Sequence, residues 1–392
     1  MDRIFIDATA TANTLHHTGI QRVVRSMILF GSVRGEEWIP VVWGGEGYRA
    51  PTRHERRRLF NVFAKGIHRK KWLSRIFERW EKKWEIDFLD ETEDALFLIP
   101  EIPSGQRLDF LDDLASTGAR QAQMVAICHD LLSWSSPQWT APSRRKDFDR
   151  YLRFLGLIER VICPSTATAK EWKRFQAEEG IVGPEPEVLP WPIHGEPVAF
   201  PVDKGLNPLV LCVGTLEPRK NHSSLLDAAE ILWSKGVEFE LVLAGRVREK
   251  SERDIPERVE KLARAGRKVS WTGPVSDQML EDLYQRSSFT VFPSLAEGYG
   301  LPIAESLARG RPCVCSDSGA MGEIATGGGC LTTDVATPDK LAKSMEKLLR
   351  EKDLLEDLVE QAKARTWPDW EDWLNLLIGN SGGSLDCSAT EW

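Results

Sequence analysis

The sequence predicts an α/β protein made of two doubly wound, Rossmann-like domains that face each other across a cleft. Short β-rich runs alternate with longer helical stretches along the chain, a pattern typical of parallel sheets with crossover helices. The chain has 392 residues, which suits two domains of roughly 150 to 200 residues each. Residues 180–208 contain seven prolines and divide the chain almost in half, as a domain junction would.

The first domain is predicted over residues 1–195. Its strands are expected at five short apolar runs, residues 3–8, 38–43, 95–100, 124–129 and 160–165. Residues 20–30 and 144–157 have helical periodicity, and Ser165 or Thr166 can cap a further helix directly after a strand. A basic helical insert is predicted at about 53–90.

The second domain is predicted over residues 206–366 and repeats the alternation. Its strands are expected at 208–214, 238–245, 268–273, 289–294 and 312–317, and its helices at 222–236, 256–266, 277–287 and 302–310. Residues 367–392 are expected to form a closing helix that returns to the first domain, followed by a polar tail.

Composition excludes several classes of protein. Hydrophobic residues make up 42% of the chain and charged residues 28%, which is typical of a soluble globular protein, and the net charge of -8 argues against nucleic acid as a partner. No apolar run approaches the roughly 18 residues that would span a bilayer, and MDRIFIDATA has too short an apolar core for a signal peptide. We therefore expect a cytoplasmic protein.

The cysteines also fit a cytoplasmic protein. Five of them are predicted to be buried strand residues because they lie within or beside short apolar runs; they are Cys128, Cys163, Cys212, Cys313 and Cys315. Cys313 and Cys315 form a C-x-C pair, but no second group of Cys or His with metal-binding spacing lies nearby, so no zinc site is expected.

Two corners of the second domain carry chemistry that suits a phosphate-bearing ligand. Ligands of such domains bind at the carboxyl ends of the strands, where the next helix begins. In VGTLEPRKNH the cations Arg219 and Lys220 lie at such a corner, where cations and helix amides both favour negative charge. The alternative for this pair alone is a solvated loop.

The second corner, PSLAEGYGLPIAE, combines glycines with two glutamates. Gly298 and Gly300 allow a ligand close to the backbone, and Pro302 suits the first turn of a helix. Carboxylates repel phosphate, so Glu297 and Glu305 are better suited to bind neutral hydroxyl groups of sugars and riboses. Each taken singly could instead be an ordinary surface residue.

Together these motifs resemble the retaining glycosyltransferases of family four, which have the GT-B fold and include many mannosyltransferases. EGYGLPIAE resembles their paired-glutamate motif, and VGTLEPRKN is similar to their phosphate-binding loop. TGIQRVVRSM resembles the Gly loop of the first domain, ICHDLLSWSSPQW the segment with His and Asp, and VICPSTATAKE the end of that domain. The likeness covers nearly the whole chain.

The resemblance implies a role for each matching residue of the second domain. Glu305 would hold the donor ribose, and Glu297 would contact the transferred sugar as a catalytic residue. The remaining residues would bind the donor, chiefly its diphosphate; they are Arg219, Lys220, Gly214, Thr215, Gly298, Tyr299, Gly300 and Leu301. Many family members have arginine where this chain has Thr215, and a glycine where it has Pro192.

In the first domain, the resemblance makes His129 and Asp130 catalytic. His129 would reach the transferred sugar and Asp130 would fix its loop, whereas Gly19 would let the backbone approach the donor. Cations and a helix dipole can stabilise the leaving diphosphate, so neither a metal nor a cofactor is expected. The pair Asp147 and Asp149 lies in a predicted helix, where residues two apart diverge, and is interpreted as solvated.

Residues 53–83 carry 12 Lys and Arg against three Glu, interleaved with large apolar residues. One interpretation is an amphipathic helix on an anionic membrane, which would give peripheral contact at the inner membrane face and a lipid-linked acceptor. The other is that the apolar side packs on the first domain and the cations are solvated.

The function we expect is a retaining transfer of a hexose, with mannose from GDP-mannose favoured, to a glycan or glycolipid acceptor in surface polysaccharide biosynthesis. UDP-hexoses stay open as donors. Two alternatives are a GT-B sugar-nucleotide epimerase or hydrolase, and a non-catalytic protein that binds nucleotide sugars. The motifs do not identify the acceptor, the linkage or the oligomeric state.

Overall fold

The computed structural model describes residues 3–15, 19–34, 36–60, 95–116, 122–193, 207–248 and 254–379. The chain divides into two compact units. Unit 1 contains the described residues of Met1–Pro190 and the helix Trp370–Leu377, and unit 2 contains those of Trp191–Pro368. Most of the predicted basic insert, much of the proline-rich junction and the polar tail lie outside the described residues.

Unit 1 is built on a seven-stranded sheet in the order β3-β2-β1-β4-β5-β6-β7. Every pairing is parallel except that of β2 with β3. The strands are β1 (Arg3–Asp7), β2 (Glu37–Trp43), β3 (Tyr48–Arg49), β4 (Leu96–Ile99), β5 (Gln123–Ile127), β6 (Arg160–Cys163) and β7 (Pro186–Val188). All four residues of β4 are buried, as the middle of a sheet covered on both faces requires.

The described helices of unit 1 connect these strands or cover the sheet. They are α1 (Thr9–Ala12), α2 (Gly19–Gly31), α3 (Arg53–Phe60), α4 (Gln106–Ser116), α5 (Leu132–Ser135), α6 (Pro142–Leu155) and α7 (Thr166–Glu179). The cap predicted at Ser165 is confirmed, because its side chain accepts a hydrogen bond from the Thr168 amide at 3.1 Å. The five strands predicted for the first half are confirmed, with ends that differ by at most two residues.

Two short strands were missed at opposite edges of this sheet. β3 is a two-residue antiparallel partner of β2, too short to produce a periodic pattern. β7 lies within the proline-rich segment, and Pro186 is tolerated there because an edge strand needs fewer backbone donors. The start of that segment is therefore part of the unit 1 sheet.

The basic insert is described only in its first part, α3. Leu59 and Phe60 at the end of this helix are buried, and the Arg58 carbonyl accepts a hydrogen bond from the side chain of Arg25. Over these eight residues the apolar side packs on unit 1, as in the second interpretation of the insert.

Unit 2 contains an all-parallel six-stranded sheet in the order β10-β9-β8-β11-β12-β13. Its strands are β8 (Leu209–Val213), β9 (Glu240–Ala244), β10 (Val269–Trp271), β11 (Phe289–Phe292), β12 (Cys313–Cys315) and β13 (Cys330–Thr332). The five predicted strands are confirmed, and β13 was missed because only three residues of a Gly-rich segment form it. The strand order reverses beside β8, which is where α/β sheets bind ligands.

The helices of unit 2 alternate with these strands. They are α8 (His222–Ser234), α9 (Asp254–Arg264), α10 (Asp277–Arg286), α11 (Leu301–Ala308), α12 (Gly319–Thr326), α13 (Pro338–Arg350) and α14 (Lys352–Lys363). Leu225, Leu226, Leu232 and Leu341 are fully buried in the main apolar core of the unit. The four helices predicted for this half are confirmed by the bounds of α8, α9, α10 and α11.

The last described helix, α15 (Trp370–Leu377), packs within unit 1. Trp370 stacks on Phe30 of α2 with ring centroids 5.6 Å apart, and Trp373 is fully buried. The Arg160 guanidinium donates to the Leu377 carbonyl at 2.7 Å, which satisfies one of the free carbonyls at the helix end.

The five cysteines predicted to be buried thiols are confirmed as buried and free. Among the helices in the described part of the chain, none has both the length and the hydropathy to cross a membrane.

We predict that docking of α15 contributes strongly to the stability of unit 1. Trp373→Ala removes a fully buried indole and is expected to lower the free energy of unfolding by about 3–5 kcal/mol. Chemical denaturation measures this change. Glu371→Gln, at an exposed position of the same helix, is the control and should change stability by less than about 0.5 kcal/mol. Equal stability of the two variants would contradict the docking.

Candidate functional site

The carboxyl ends of β8 and β11, which are neighbours in the sheet of unit 2, bring the two predicted corners together. After β8 the chain passes through Gly214 and Thr215 into a short 3-10 turn, Pro218–Lys220. Asn221 then adopts a left-handed conformation with φ of 55°, and its side-chain amide donates to the Val335 carbonyl at 2.8 Å. The Leu295 amide, just after β11, donates to the Arg219 carbonyl at 2.8 Å, so the two corners share a backbone hydrogen bond.

The carboxylate of Glu297 forms ion pairs with both predicted phosphate-binding cations. Its Oε2 lies 2.7 Å from Nη1 of Arg219, and its Oε1 lies 2.5 Å from Nζ of Lys220. The Ser294 hydroxyl donates to the same Oε1. Three residues predicted separately from two motifs therefore form one cluster, which we call the Glu297 cluster (Arg219, Lys220, Ser294 and Glu297).

Burial and charge act in opposite directions on Glu297, whose side chain is only 10% exposed. Burial alone would raise its pKa, but the charges of Lys220 and Arg219 and the hydrogen bonds from Lys220 and Ser294 lower the pKa to about 2. The carboxylate is therefore ionised at neutral pH, and it holds the two cations, which would otherwise repel each other.

Lys220 is positioned from a second side as well. Its Nζ lies 4.7 Å from the centre of the Phe292 ring, at the end of β11, in a cation–π contact. Burial and the neighbouring Arg219 lower the pKa of Lys220, and Glu297 opposes that shift. The ammonium group thus lies between an aromatic ring and a carboxylate, where the flexible lysine chain is fixed.

A third loop, after β9, joins this corner. The Glu217 carboxylate pairs with Arg219 at 2.7 Å and with Arg248 at 2.5 Å. The backbone after β9 lies so close to the backbone after β8 that a Cβ on Gly245 would be 1.8 Å from the Gly214 carbonyl oxygen. Only glycine fits at this position. Glu217 and Arg248 were not predicted to belong to the site.

The Gly-rich corner leads directly into α11. Gly300 is the N-cap residue with φ of 110°, a conformation that favours glycine, and Pro302 lies in the first turn. In the described part of the chain the amides of Tyr299, Gly300 and Leu301 donate no hydrogen bond. These amides at a helix N-terminus therefore have no acceptor in this part of the chain, and an anion could supply one.

Glu305 lies on α11 and is 95% buried. Its Oε2 accepts a hydrogen bond from the Tyr284 hydroxyl of α10 at 3.3 Å. Its ribose-binding role stays a prediction.

In unit 1, His129 and Asp130 follow the carboxyl end of β5. The Nε2 atom of His129 lies 2.7 Å from the Pro100 carbonyl oxygen, and since a carbonyl only accepts, Nε2 carries the proton. Burial lowers the pKa of His129, so the ring is neutral near pH 7. The Asp130 carboxylate accepts from the Leu132 amide at 3.0 Å, which holds the turn after β5.

The remaining predicted residues of unit 1 lie on helices. Gly19 is the first residue of α2. Asp149 pairs with Arg153 on the surface of α6, and both side chains are about half exposed, as expected for a solvated face. Across the described ranges no three His, Cys, Asp or Glu side chains are grouped closely enough to hold a metal ion.

A buried charge cluster at the ends of β1 and β4 was not predicted. Asp7 accepts hydrogen bonds from the Tyr48 hydroxyl at 2.7 Å and from Arg107 at 3.3 Å. The Glu101 carboxylate accepts from the amide of Thr11 at 2.7 Å, and burial and the nearby Asp7 raise its pKa to about 7. The sequence could have indicated this cluster only by position, because Asp7 ends β1 and Glu101 lies two residues after β4.

His222 was also missed, although it belongs to the quoted motif. It is 97% buried at the start of α8, and its Nδ1 has no hydrogen-bond partner in the described part of the chain. Burial and the charge of Lys220 lower the pKa of His222 to about 3, so the ring is neutral beside the cations.

We predict that the Glu297 carboxylate stabilises unit 2. Glu297→Gln leaves two buried cations without their shared partner and should lower the free energy of unfolding by about 3–5 kcal/mol at pH 7. Because the pKa of Glu297 is lowered to about 2 on folding, this contribution is present above about pH 4.5 and is lost as the pH falls toward 2.

Denaturation of the wild type and of Glu297→Gln between pH 7 and pH 3 measures both effects. The control, Glu260→Gln, makes the same change in an exposed ion pair with Arg264 and should cost less than about 1 kcal/mol. A stability difference for Glu297→Gln that matched the control, or that grew as the pH fell, would contradict the account.

Comparisons with known proteins agree with this architecture. Residues 201–365 match the model of the family described as glycosyl transferases group 1. The chain is 28% identical over 407 aligned residues to a serotype-specific mannosyltransferase, WbdA, of Escherichia coli, with 96% of this chain and 46% of that protein covered. The chain thus spans about half the length of that relative.

A shorter similarity is to O-antigen chain mannosyltransferase B of Escherichia coli, which is 36% identical over 115 residues, 29% of this chain and 30% of that protein. Among solved structures, sucrose-phosphate synthase of Thermosynechococcus elongatus has a TM-score of 0.66 at 18% identity and covers 97% of this chain and 98% of its own. Residues 201–365, most of unit 2, therefore match a glycosyl transferases group 1 domain, and the chain shares its fold with sucrose-phosphate synthase over nearly its whole length.

Proposed function

We propose that this protein transfers mannose from GDP-mannose to a glycan or glycolipid acceptor in surface polysaccharide biosynthesis, with retention of the anomeric configuration. The observation that carries the proposal is the corner of unit 2 where the Glu297 cluster meets the open amides of Tyr299, Gly300 and Leu301. A diphosphate needs cations and amide donors, and a sugar needs hydroxyl acceptors such as a carboxylate.

The charges of the corner suit a ligand that is anionic at one end and neutral at the other. Arg219, Lys220 and Arg248 carry three positive charges against two on Glu217 and Glu297, which leaves the corner net positive. We assign the diphosphate to the cations and amides, the transferred sugar to Glu297 and the donor ribose to Glu305. His129 and Asp130 of unit 1 are assigned to the transferred sugar.

The proposed reaction breaks the bond between the anomeric carbon of mannose and the diphosphate, whose oxygen leaves with the electron pair. The acceptor hydroxyl oxygen forms the new bond to the same carbon, and its proton passes to the departing phosphate oxygen. Cations fixed before the reaction stabilise the charge that develops on the leaving group, a role that elsewhere falls to a metal ion.

The donor and acceptor are proposed from the relatives. Two Escherichia coli proteins similar to this chain are mannosyltransferases, and the name of one places it in the O-antigen chain. GDP-mannose is the activated mannose that we favour as the donor. A mannose-terminated oligosaccharide, free or lipid-linked, is accordingly the first acceptor to test.

We predict that Lys220→Ala lowers the kcat/KM for transfer by about 10²–10³, the cost of removing one group that stabilises transition-state charge. The full chain is incubated with GDP-mannose and a mannose-terminated oligosaccharide, the product is measured by mass spectrometry, and proton NMR identifies the new anomeric linkage. The control is Lys235→Ala, which removes a lysine that is 56% exposed and should leave the rate unchanged.

The outcomes separate the candidate functions. An α-linked mannose product supports the proposal, whereas a β linkage contradicts retention. Transfer from UDP-hexoses alone contradicts the donor, and release of free mannose or its epimer without transfer supports the epimerase or hydrolase alternative. Binding without turnover, unchanged in Lys220→Ala, would leave only a non-catalytic protein.

A further inference from the structure

The three cations that ion pairs bring together at the corner of unit 2 already have carboxylate partners. Arg219 pairs with Glu217 and Glu297, Lys220 pairs with Glu297, and Arg248 pairs with Glu217. An incoming anion must therefore share these cations with buried carboxylates, which weakens their attraction for it.

Arg246 lies at the same corner, on the loop after β9. Its carbonyl oxygen accepts a hydrogen bond from the Leu216 amide at 2.8 Å, and the Arg248 amide returns one to the Leu216 carbonyl at 3.2 Å. Leu216 and Val247 form an isolated parallel bridge. These contacts hold the backbone of Arg246 beside that of Thr215 and Glu217, at the carboxyl edge of the sheet.

The side chain of Arg246 has no carboxylate partner of the kind that Arg219, Lys220 and Arg248 have in the described residues. Its Nε is buried and has no hydrogen-bond partner, and no ion pair joins its guanidinium to any residue that the structure describes. A guanidinium carries five N–H donors, and a buried donor without a partner costs free energy. That cost is recovered where a ligand supplies the acceptor.

We propose that Arg246 binds the diphosphate of the nucleotide sugar and is the cation of this corner whose charge no carboxylate of the described chain neutralises. The inference rests on the proposed function, because it names a further residue of the same donor site. A planar guanidinium matches two phosphate oxygens at once, which gives orientation as well as charge. Arg219, Lys220 and Glu297 then form the rigid floor of the site, and Arg246 supplies the charge that is free for the ligand.

The experiment measures nucleotide binding by the full chain with isothermal titration calorimetry. The probe is GDP or UDP, whichever the wild type binds more tightly, with the matching nucleoside as a probe that lacks phosphate. Arg246→Ala and Arg246→Gln should each raise the Kd for the diphosphate by about 10- to 100-fold, the range for losing a hydrogen bond to a charged group, and leave the Kd for the nucleoside unchanged. Arg246→Lys should fall between these variants and the wild type.

Arg264→Ala is the control, since it removes the same charge from a side chain of unit 2 that is 81% exposed, and its Kd should equal that of the wild type. Thermal unfolding of Arg246→Gln, which keeps a polar side chain, shows whether a loss of affinity comes from unfolding. Wild-type affinity of Arg246→Ala and Arg246→Gln for the diphosphate would overturn the inference, as would an equal loss for the nucleoside. A wild type that binds neither GDP nor UDP would instead contradict the proposed function.

Discussion

The shared carboxylate of Glu297 is the interaction on which the candidate site depends. It bridges Arg219 and Lys220, so it connects the turn after β8 to the corner after β11. Two cations placed this close, with side chains only 20% and 11% exposed, would repel each other and lose part of their hydration. A carboxylate between them, supported by the hydroxyl of Ser294, removes both costs and fixes the side chains before any ligand arrives. The same contact makes Glu297 less available to a sugar hydroxyl than an isolated carboxylate, so sugar binding must use lone pairs that the ion pairs leave open.

The sequence predicted the architecture well because the same alternation of apolar runs and helical stretches recurs along the whole chain. Most strands of the two sheets are short apolar runs followed by a helical stretch, and apolar runs with few charges are what a sheet covered on both faces requires. The missed strands, Tyr48–Arg49, Pro186–Val188 and Cys330–Thr332, have two or three residues each and lie at sheet edges, where pairing rather than hydrophobic pattern decides the structure.

The site was predicted less completely, for a physical reason. Residues of one motif could be assigned together because they are close along the chain, as Arg219 and Lys220 are, or Gly298 and Gly300. The ion pairs of Glu297 with Lys220 and of Glu217 with Arg248 join residues 77 and 31 positions apart and depend on strand order. Charged residues such as Glu217 and Arg246 look like ordinary loop residues until the sheet places their loops side by side.

Unit 1 shows the same dependence on strand order. Asp7 and Glu101 come from the ends of adjacent strands, and Arg107 lies between their charges, 3.3 Å from the first and 3.8 Å from the second. This cluster holds the amides of α1 through Glu101, directly after the Pro100 carbonyl that orients His129. The position of the predicted catalytic histidine is therefore coupled through two adjacent residues to a buried network of charges.

A crystal structure of the full chain with GDP-mannose would show where the donor binds. We expect the diphosphate at the corner of unit 2, within hydrogen-bond distance of Lys220 and of the amides of Gly300 and Leu301, with the ion pairs of Glu297 retained. A nucleotide bound elsewhere on the molecule, or one whose diphosphate contacts neither Lys220 nor these amides, would contradict it.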